Sequence, residues 1–311
     1  MNISVIIATM NRSDDLRAAL GSIAKQSFLP YEVLVIDQSV DDRTRRLVEE
    51  FRAGEPRLAG SLRYFFQEEK SLVKARNRGF REASGELITF FDDDVVLFED
   101  YFERMDAFLT AHPDVGAVSG RQILKTKQSG FKWALRKALL RFFLISNCDG
   151  RMTPSGFGFP ITFEREIDRL IFVEMLAGCN MSFRKQWVEG ERFDEWFSGY
   201  GYREDAEFSF RISQKTRMAM IPDAKLHHNH STQNRLNVDK LKRMEIKNHY
   251  YVFKKYRYTN FFSNILFGYS LTGVCIMEFL EFLSKRDRQS LQRLKAGFLS
   301  FFSVFNGQRP H

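Results

Sequence analysis

TFFDDDVVLF, from Thr89 to Phe98, sets an apolar run that reads as a buried strand directly before three consecutive carboxylates, Asp92, Asp93 and Asp94. A strand ending in clustered carboxylates puts negative charge at the carboxyl edge of a sheet, where open α/β folds bind ligands. Neighbouring carboxylates repel one another and are costly unless a cation or several hydrogen bonds compensate them. A hard divalent ion held by one or two of them, together with substrate phosphates, meets that need. A solvated turn after a strand would give the same letters, so the rest of the chain has to decide.

Upstream, strand and helix alternate. Ile3 to Thr9 is a short β-branched run followed by a polar turn, and Ser13 is expected to cap the helix that Asp14 and Asp15 open. Leu16, Leu20 and Ile23 share one face of that helix. Glu32 to Ile36 reads as a second strand ending at Asp37, Leu62 to Phe66 as a third and Leu87 to Phe91 as a fourth, with helical patterns between them. This alternation predicts an α/β fold with a doubly wound, mostly parallel sheet flanked by helices.

Downstream the pattern changes. Phe98 to Ala111 reads as a helix stopped by His112-Pro113, and Gly116 to Ser119 as a strand. Phe131 to Ile145 places Phe131, Leu135, Leu139 and Phe142 at helical spacing, with Lys132, Arg136, Lys137 and Arg141 between them. Such a basic amphipathic helix can lie on a membrane or pack as an ordinary surface helix. Arg151 to Pro160 is rich in Gly and Pro and reads as a loop.

With 311 residues, 44% hydrophobic and 28% charged, the composition is that of an ordered globular protein of one large or two ordinary domains. Its net charge of +8 is uneven: from Gln233 onward there are 14 Lys+Arg against 5 Asp+Glu, while the first 232 residues carry 33 against 34. A basic, Phe-rich tail on a neutral body points to an anionic surface. Cys148, Cys179 and Cys275 are widely separated and form no CxxC pair, so neither a zinc site nor a disulfide framework is suggested, and a reducing cytoplasm fits. The amino terminus opens on a strand-like run without a basic leader, so secretion is not expected.

In order along the chain, ISVIIATMNR, EVLVIDQSVDD, KARNRG, FFDDD, AGCNMSFRK and GYGYREDAEFSFRI together resemble the family 2 glycosyltransferases. The resemblance covers about the first 232 residues. It implies the GT-A fold and a nucleotide-diphospho-sugar donor lying across the carboxyl ends of the first strands. Two departures stand out: Ala8 replaces the usual proline before the first-strand threonine, and Gln38 replaces the second Asp of the base-reading pair. On this resemblance residues 1–98 form the nucleotide-sugar half, 99–232 the acceptor and catalytic-base half, and 233–311 a helical tail.

The residues suit these roles. Thr9 and Asn11 sit in the first turn, able to edge a nucleotide, and Asp37 can accept from a base N–H, as uracil N3–H offers. Arg76 can stack on the base or meet a phosphate in fork geometry. Each also has a structural alternative: Asp37 capping a turn, Arg76 pairing with a carboxylate. The resemblance implies that Asp92 faces the ribose, with Asp93 beside it, and that Asp94 reaches Mn2+ or Mg2+. In LHHNHST, aligned on PDAKLHH, His228 matches the histidine that completes the metal shell, with His227 and His230 expected on a common face. Inverting transfer needs one base to deprotonate the acceptor hydroxyl. By the resemblance that base is Asp205, supported by Glu204, in the first turn of a helix whose dipole lowers carboxylate pKa values.

Tyr258 to Met277 holds twenty uncharged residues, near the length of a membrane span, but its Asn, Ser, Thr and Gly content favours interfacial attachment. Packing on the body or a homodimer would also cover it. The expectation is a cytoplasmic enzyme, peripheral on the inner face of the cell membrane, using a glycan or lipid-linked acceptor. A nucleotidyltransferase is the alternative enzyme, but ATMNRSDDL lacks the glycine-rich loop. Nucleic-acid binding ranks last, because the Phe residues lie in apolar runs rather than interleaved with Arg.

Overall fold

In a computed structural model of the protein the described residues are 1–124, 130–161, 167–231 and 236–305, with side chains to 302. Compactness divides the chain into two units, 1–127 with 165–234, and 128–164 with 235–311. The segment 128–164 thus joins the tail's unit, although the sequence sets it between the two catalytic stretches. The boundary between 232 and 233 lies outside the described residues.

The first unit is built on a sheet of nine strands among the described residues: β1 Ile3–Thr9, β2 Glu32–Asp37, β3 Leu62–Phe66, β4 Leu87–Asp92, β5 Val95–Leu97, β6 Val115–Gln122, β7 Ile171–Val173, β8 Asn180–Arg184 and β9 Arg217–His228. The spatial order is β3-β2-β1-β4-β8-β6-β9-β5, with β7 also paired to β9. Helices α1 Ser13–Ala24, α2 Arg43–Gly54, α3 Pro56–Ala59, α4 Leu72–Glu82, α5 Tyr101–Ala111, α7 Lys185–Val188 and α8 Glu204–Ser213 flank it, while α6 Phe131–Phe142 belongs to the second unit.

β1 to β4 pair in parallel, each return made through a crossover. Leu16, Leu20 and Ile23 of α1 pack into the core with Ile3, Val5 and Ile7 of β1, each fully or almost fully buried, worth about 1.5–3 kcal/mol per large side chain. Ser13 does not cap α1: the helix begins at Ser13 itself, and Arg12, its N-cap residue, makes no side-chain cap bond. Beyond β4 the sheet becomes mixed. β8 runs antiparallel to β4, and β5 antiparallel to β9.

In the second unit α6 joins α9 Val238–Tyr256, α10 Phe261–Lys285 and α11 Arg288–Phe305. Phe157, Phe253, Phe267 and Leu271 form its centre. Asn260 and Ser263 close a reciprocal capping box at the start of α10.

Candidate active site

Strand register brings the site together. Thr9 lies opposite Asp37 and Ala8 opposite Asp92, so β1, β2 and β4 end level at one carboxyl edge. β8 starts there too, with Asn180 opposite Phe91, which brings in the preceding Gly178 and Cys179. β5 pairs with β9 so that His228 sits across from Val95, beside the carboxylate triplet.

The three carboxylates differ in their surroundings. Asp93 turns inward, almost fully buried, and accepts from Thr9 Oγ1 at 2.7 Å and Arg12 Nη1 at 3.2 Å. Burial pushes its carboxyl up to about 7, with Arg12 and Thr9 opposing. Asp92 and Asp94 converge with His228, one donor atom from each lying within 4.8 Å of the others. The Asp92 side chain is 34% exposed and so open to a ligand, whereas Asp94 is buried.

Asp94 Oδ2 accepts from the Ser231 amide at 2.7 Å. Its Oδ1 lies 3.0 Å from His228 Nε2, yet it is buried without a well-directed hydrogen bond. That oxygen, an open carboxylate and an imidazole nitrogen form a donor set that could hold a divalent cation.

Burial disfavours protonation of His228, but its neighbours outweigh this and raise its pKa. The Cys179 thiol against the ring is itself pushed up by burial and so carries no charge at neutral pH. The field on the imidazole therefore comes from Asp94 and Asp92. Burial opposes ionisation of Asp94 as well, but His228 and the Ser231 amide hold it down at about 2. His228 and His230, two apart, have rings 4.0 Å apart, while His227 lies by Phe98, with ring centres 5.2 Å apart. This corrects the expected pairing of His227 with His230, since alternation puts residues two apart on one side.

Arg76, on α4 and 3% exposed, connects this cluster to α8. It reaches Glu204 Oε1 at 2.5 Å, Asp92 Oδ1 at 3.2 Å and the Gly178 carbonyl at 3.0 Å. A Cβ at Gly178 would come within 2.8 Å of the guanidinium, so a side chain there would displace Arg76. Asp205 stands part-exposed at the head of α8, its Oδ2 accepting from the Gly178 amide and its Oδ1 from the Ala206 amide, both at 2.7 Å. The helix is entered through Gly199 and Gly201 at positive φ and then Arg203 at φ 72°, a conformation costly for a residue with a Cβ. Burial pushes the Glu204 carboxyl up to about 8, with Asp205 adding and Arg76 opposing. The expected lowering by the helix dipole is thus overridden at Glu204.

Several residues read as nucleotide contacts are engaged inside the protein. Asp37 has no exposed surface; it accepts from the Ser39 amide and the Tyr64 hydroxyl, both at 2.9 Å. Asn11 Oδ1 holds the Val40 amide and its own amide donates to Ser39 Oγ. Gln38 accepts from the Ser71 amide at the start of α4. Thr9 donates to Asp93, and Arg76 binds carboxylates. For Asp37 and Arg76 these contacts are the structural alternatives that the sequence offered: turns at strand tips leave polar groups that nearby side chains satisfy. Gly178, Arg12 and Ser231 were missed, because their contacts come from distant parts of the chain.

Residues 4–172 match the family described as Glycosyl transferase family 2, and the chain belongs to that family. It is 27% identical over 199 residues to the GalNAc(5)-diNAcBac-PP-undecaprenol beta-1,3-glucosyltransferase of Campylobacter jejuni, covering 63% of this chain and 56% of that one. It is 38% identical over 114 residues to the validoxylamine A glucosyltransferase of Streptomyces hygroscopicus, covering 35% and 23%. The chain thus spans about half, or less, of the length of these relatives. Among solved structures it is similar to S. aureus TarS 1-349 in complex with UDP-GlcNAc, at a TM-score of 0.61 and 16% identity over 98% of this chain and 81% of that one. The mannosyltransferase PcManGT from Pyrobaculum calidifontis, in complex with GDP-Man and Mn2+, matches at 0.61 and 15% over 99% and 88%. At such identities these structures establish the GT-A fold alone.

Proposed function

We propose that the protein is an inverting, divalent-metal-dependent glycosyltransferase that moves a sugar from a UDP-linked donor to a hydroxyl of a lipid-linked or polysaccharide acceptor. The observation that carries this reading is the convergence of Asp92, Asp94 and His228 on one side of Arg76, with Glu204 and Asp205 on the other. Asp92, Asp94 and His228 are the residues that would hold Mn2+ or Mg2+. A bound divalent ion supplies Lewis-acid stabilisation of the departing diphosphate.

The protein's own groups do the rest. Asp205 takes the proton from the acceptor hydroxyl as that oxygen attacks the anomeric carbon. The Gly178 and Ala206 amides keep its carboxylate aimed, while lone pairs on both oxygens remain for the incoming proton. Arg76 and Glu204 position Asp205's helix against Asp92, and so act through other residues. A single displacement inverts the anomeric centre.

The lipid-linked acceptor is supported by the Campylobacter jejuni relative, whose name includes a PP-undecaprenol glycan. Attachment of the basic tail to the inner face of the membrane accords with it. Calorimetry of UDP binding with Mn2+ and with chelator tests the reading. Asp94→Ala should lose the metal-dependent part of the affinity, and equal wild-type affinity in both conditions would remove the metal. Asp205→Asn should keep UDP affinity while transfer falls about 10²–10⁴-fold, the range for loss of a general base. Product NMR showing retention would overturn the single displacement.

A further inference from the structure

The second unit collects the surface features that the catalytic unit lacks. Fifteen of the twenty-one large hydrophobic residues exposed among the described residues belong to it. Its sequence carries 19 Lys+Arg against 7 Asp+Glu, or +12, while the other unit is −4. About a quarter of that charge, +3 of +12, and three of the fifteen exposed residues come from 128–164, in the middle of the chain, rather than from the tail.

α6 is apolar on two sides. Leu139, Leu140 and Phe143 pack into the unit's core. Phe131, Leu135 and Phe142 face solvent at 81%, 47% and 66% exposure, with Lys132, Arg136 and Arg141 exposed beside them. α10 repeats the arrangement. Phe267, Leu271 and Val274 are buried, whereas Phe262, Ile265, Tyr269, Ile276, Phe279 and Leu283 form an outward stripe at helical spacing. The two stripes meet where the Phe142 and Tyr269 rings lie 6.0 Å apart and the Tyr269 hydroxyl donates to the Phe142 carbonyl at 2.8 Å. Gly273 allows that approach, since a Cβ there would fall 2.2 Å from Phe143.

We infer that α6 and α10 form one face that docks on an anionic bilayer, with α6 a full contributor rather than the tail acting alone. This deepens the membrane reading above and rests on it. α10 is long and apolar enough to span a membrane by length and composition, but its inner side is committed to the unit's core and leaves only one side for lipid. Apolar side chains rimmed by Lys and Arg match an interface of acyl chains and anionic headgroups. A second copy would set the same cations against each other, which disfavours a dimer through this face.

The test is co-sedimentation of the full-length protein with vesicles of phosphatidylcholine, with and without phosphatidylglycerol. Binding should require the anionic lipid. Both Lys132→Glu/Arg136→Glu and Phe131→Ser/Leu135→Ser should weaken it by about tenfold or more, leaving UDP titration and the circular-dichroism melt unchanged. If both α6 pairs bind like wild type while Lys254→Glu/Lys255→Glu does not, the tail alone docks and the inference fails. It fails equally if neutral and anionic vesicles bind alike. Absent vesicle binding, with a dimer in ultracentrifugation that Phe131→Ser/Leu135→Ser dissociates, would assign the face to a second copy. Loss of UDP binding by wild type would sink the nucleotide-sugar reading and leave the vesicle result standing.

Discussion

Arg76 is a buried cation whose partners come from three separate stretches of chain: Asp92, Gly178 and Glu204. Removing one partner of a buried ion pair is strongly destabilising, because the other charge is left uncompensated. Arg76→Met should therefore cost about 3 kcal/mol in urea unfolding, the low end of that range, since Glu204 can take up a proton and Asp92 reaches solvent. A loss indistinguishable from zero would mean that the guanidinium does not tie α8 to β4. Glu204 makes a second prediction. Its folded pKa of about 8 lies above the ordinary value of 4.5. Between those values the folded state keeps a proton that the unfolded chain has released. Its contribution to stability is thus fully present below about pH 4.5 and lost as pH rises through about 8. Unfolding midpoints across that window should fall less steeply in Glu204→Gln than in wild type; parallel slopes would contradict the raised carboxyl.

Among the elements, β9 and α10 matter most. β9 delivers His228 and, just beyond it, Ser231 to the Asp triplet through its antiparallel register with β5. A one-residue slip would turn His228 away and present its neighbours instead. α10 depends on close approach to the end of α6. Gly273→Ala would force its new methyl against Phe143, so it should destabilise the second unit by about 1–3 kcal/mol, as overpacking does. Thermal melting monitored by near-UV circular dichroism reads the effect, and an unchanged transition would show that Phe143 yields without cost.

Over the whole molecule, charge divides by unit: −4 around the carboxylate site and +12 where the exposed Phe and Leu residues gather. Attraction between exposed cations and anionic lipid is screened once the Debye length shrinks to about 3 Å, at about 1 M salt. Vesicle binding should fall steeply over that range, with the exposed apolar side chains sustaining a remainder. Salt-independent binding would point instead to a helix inserted through the bilayer.

The strand and helix alternation through Phe91 was legible because it rests on local periodicity, and so was the carboxylate edge, because TFFDDD is contiguous. The ordered motifs carried the family. What sequence could not decide was direction. Asp92 keeps an open face, whereas Asp93 is buried against Thr9 and Asp94 beside His228, and Asp37 and Arg76 bind protein groups. His228, rather than its neighbours, reaches the cluster. Each outcome depends on a register or contact with chain many residues away, such as β9 against β5 or Gly178 against Arg76. The joining of α6 with the tail is of the same kind. Side-chain periodicity tells which residues share a face, but only long-range packing decides what that face meets.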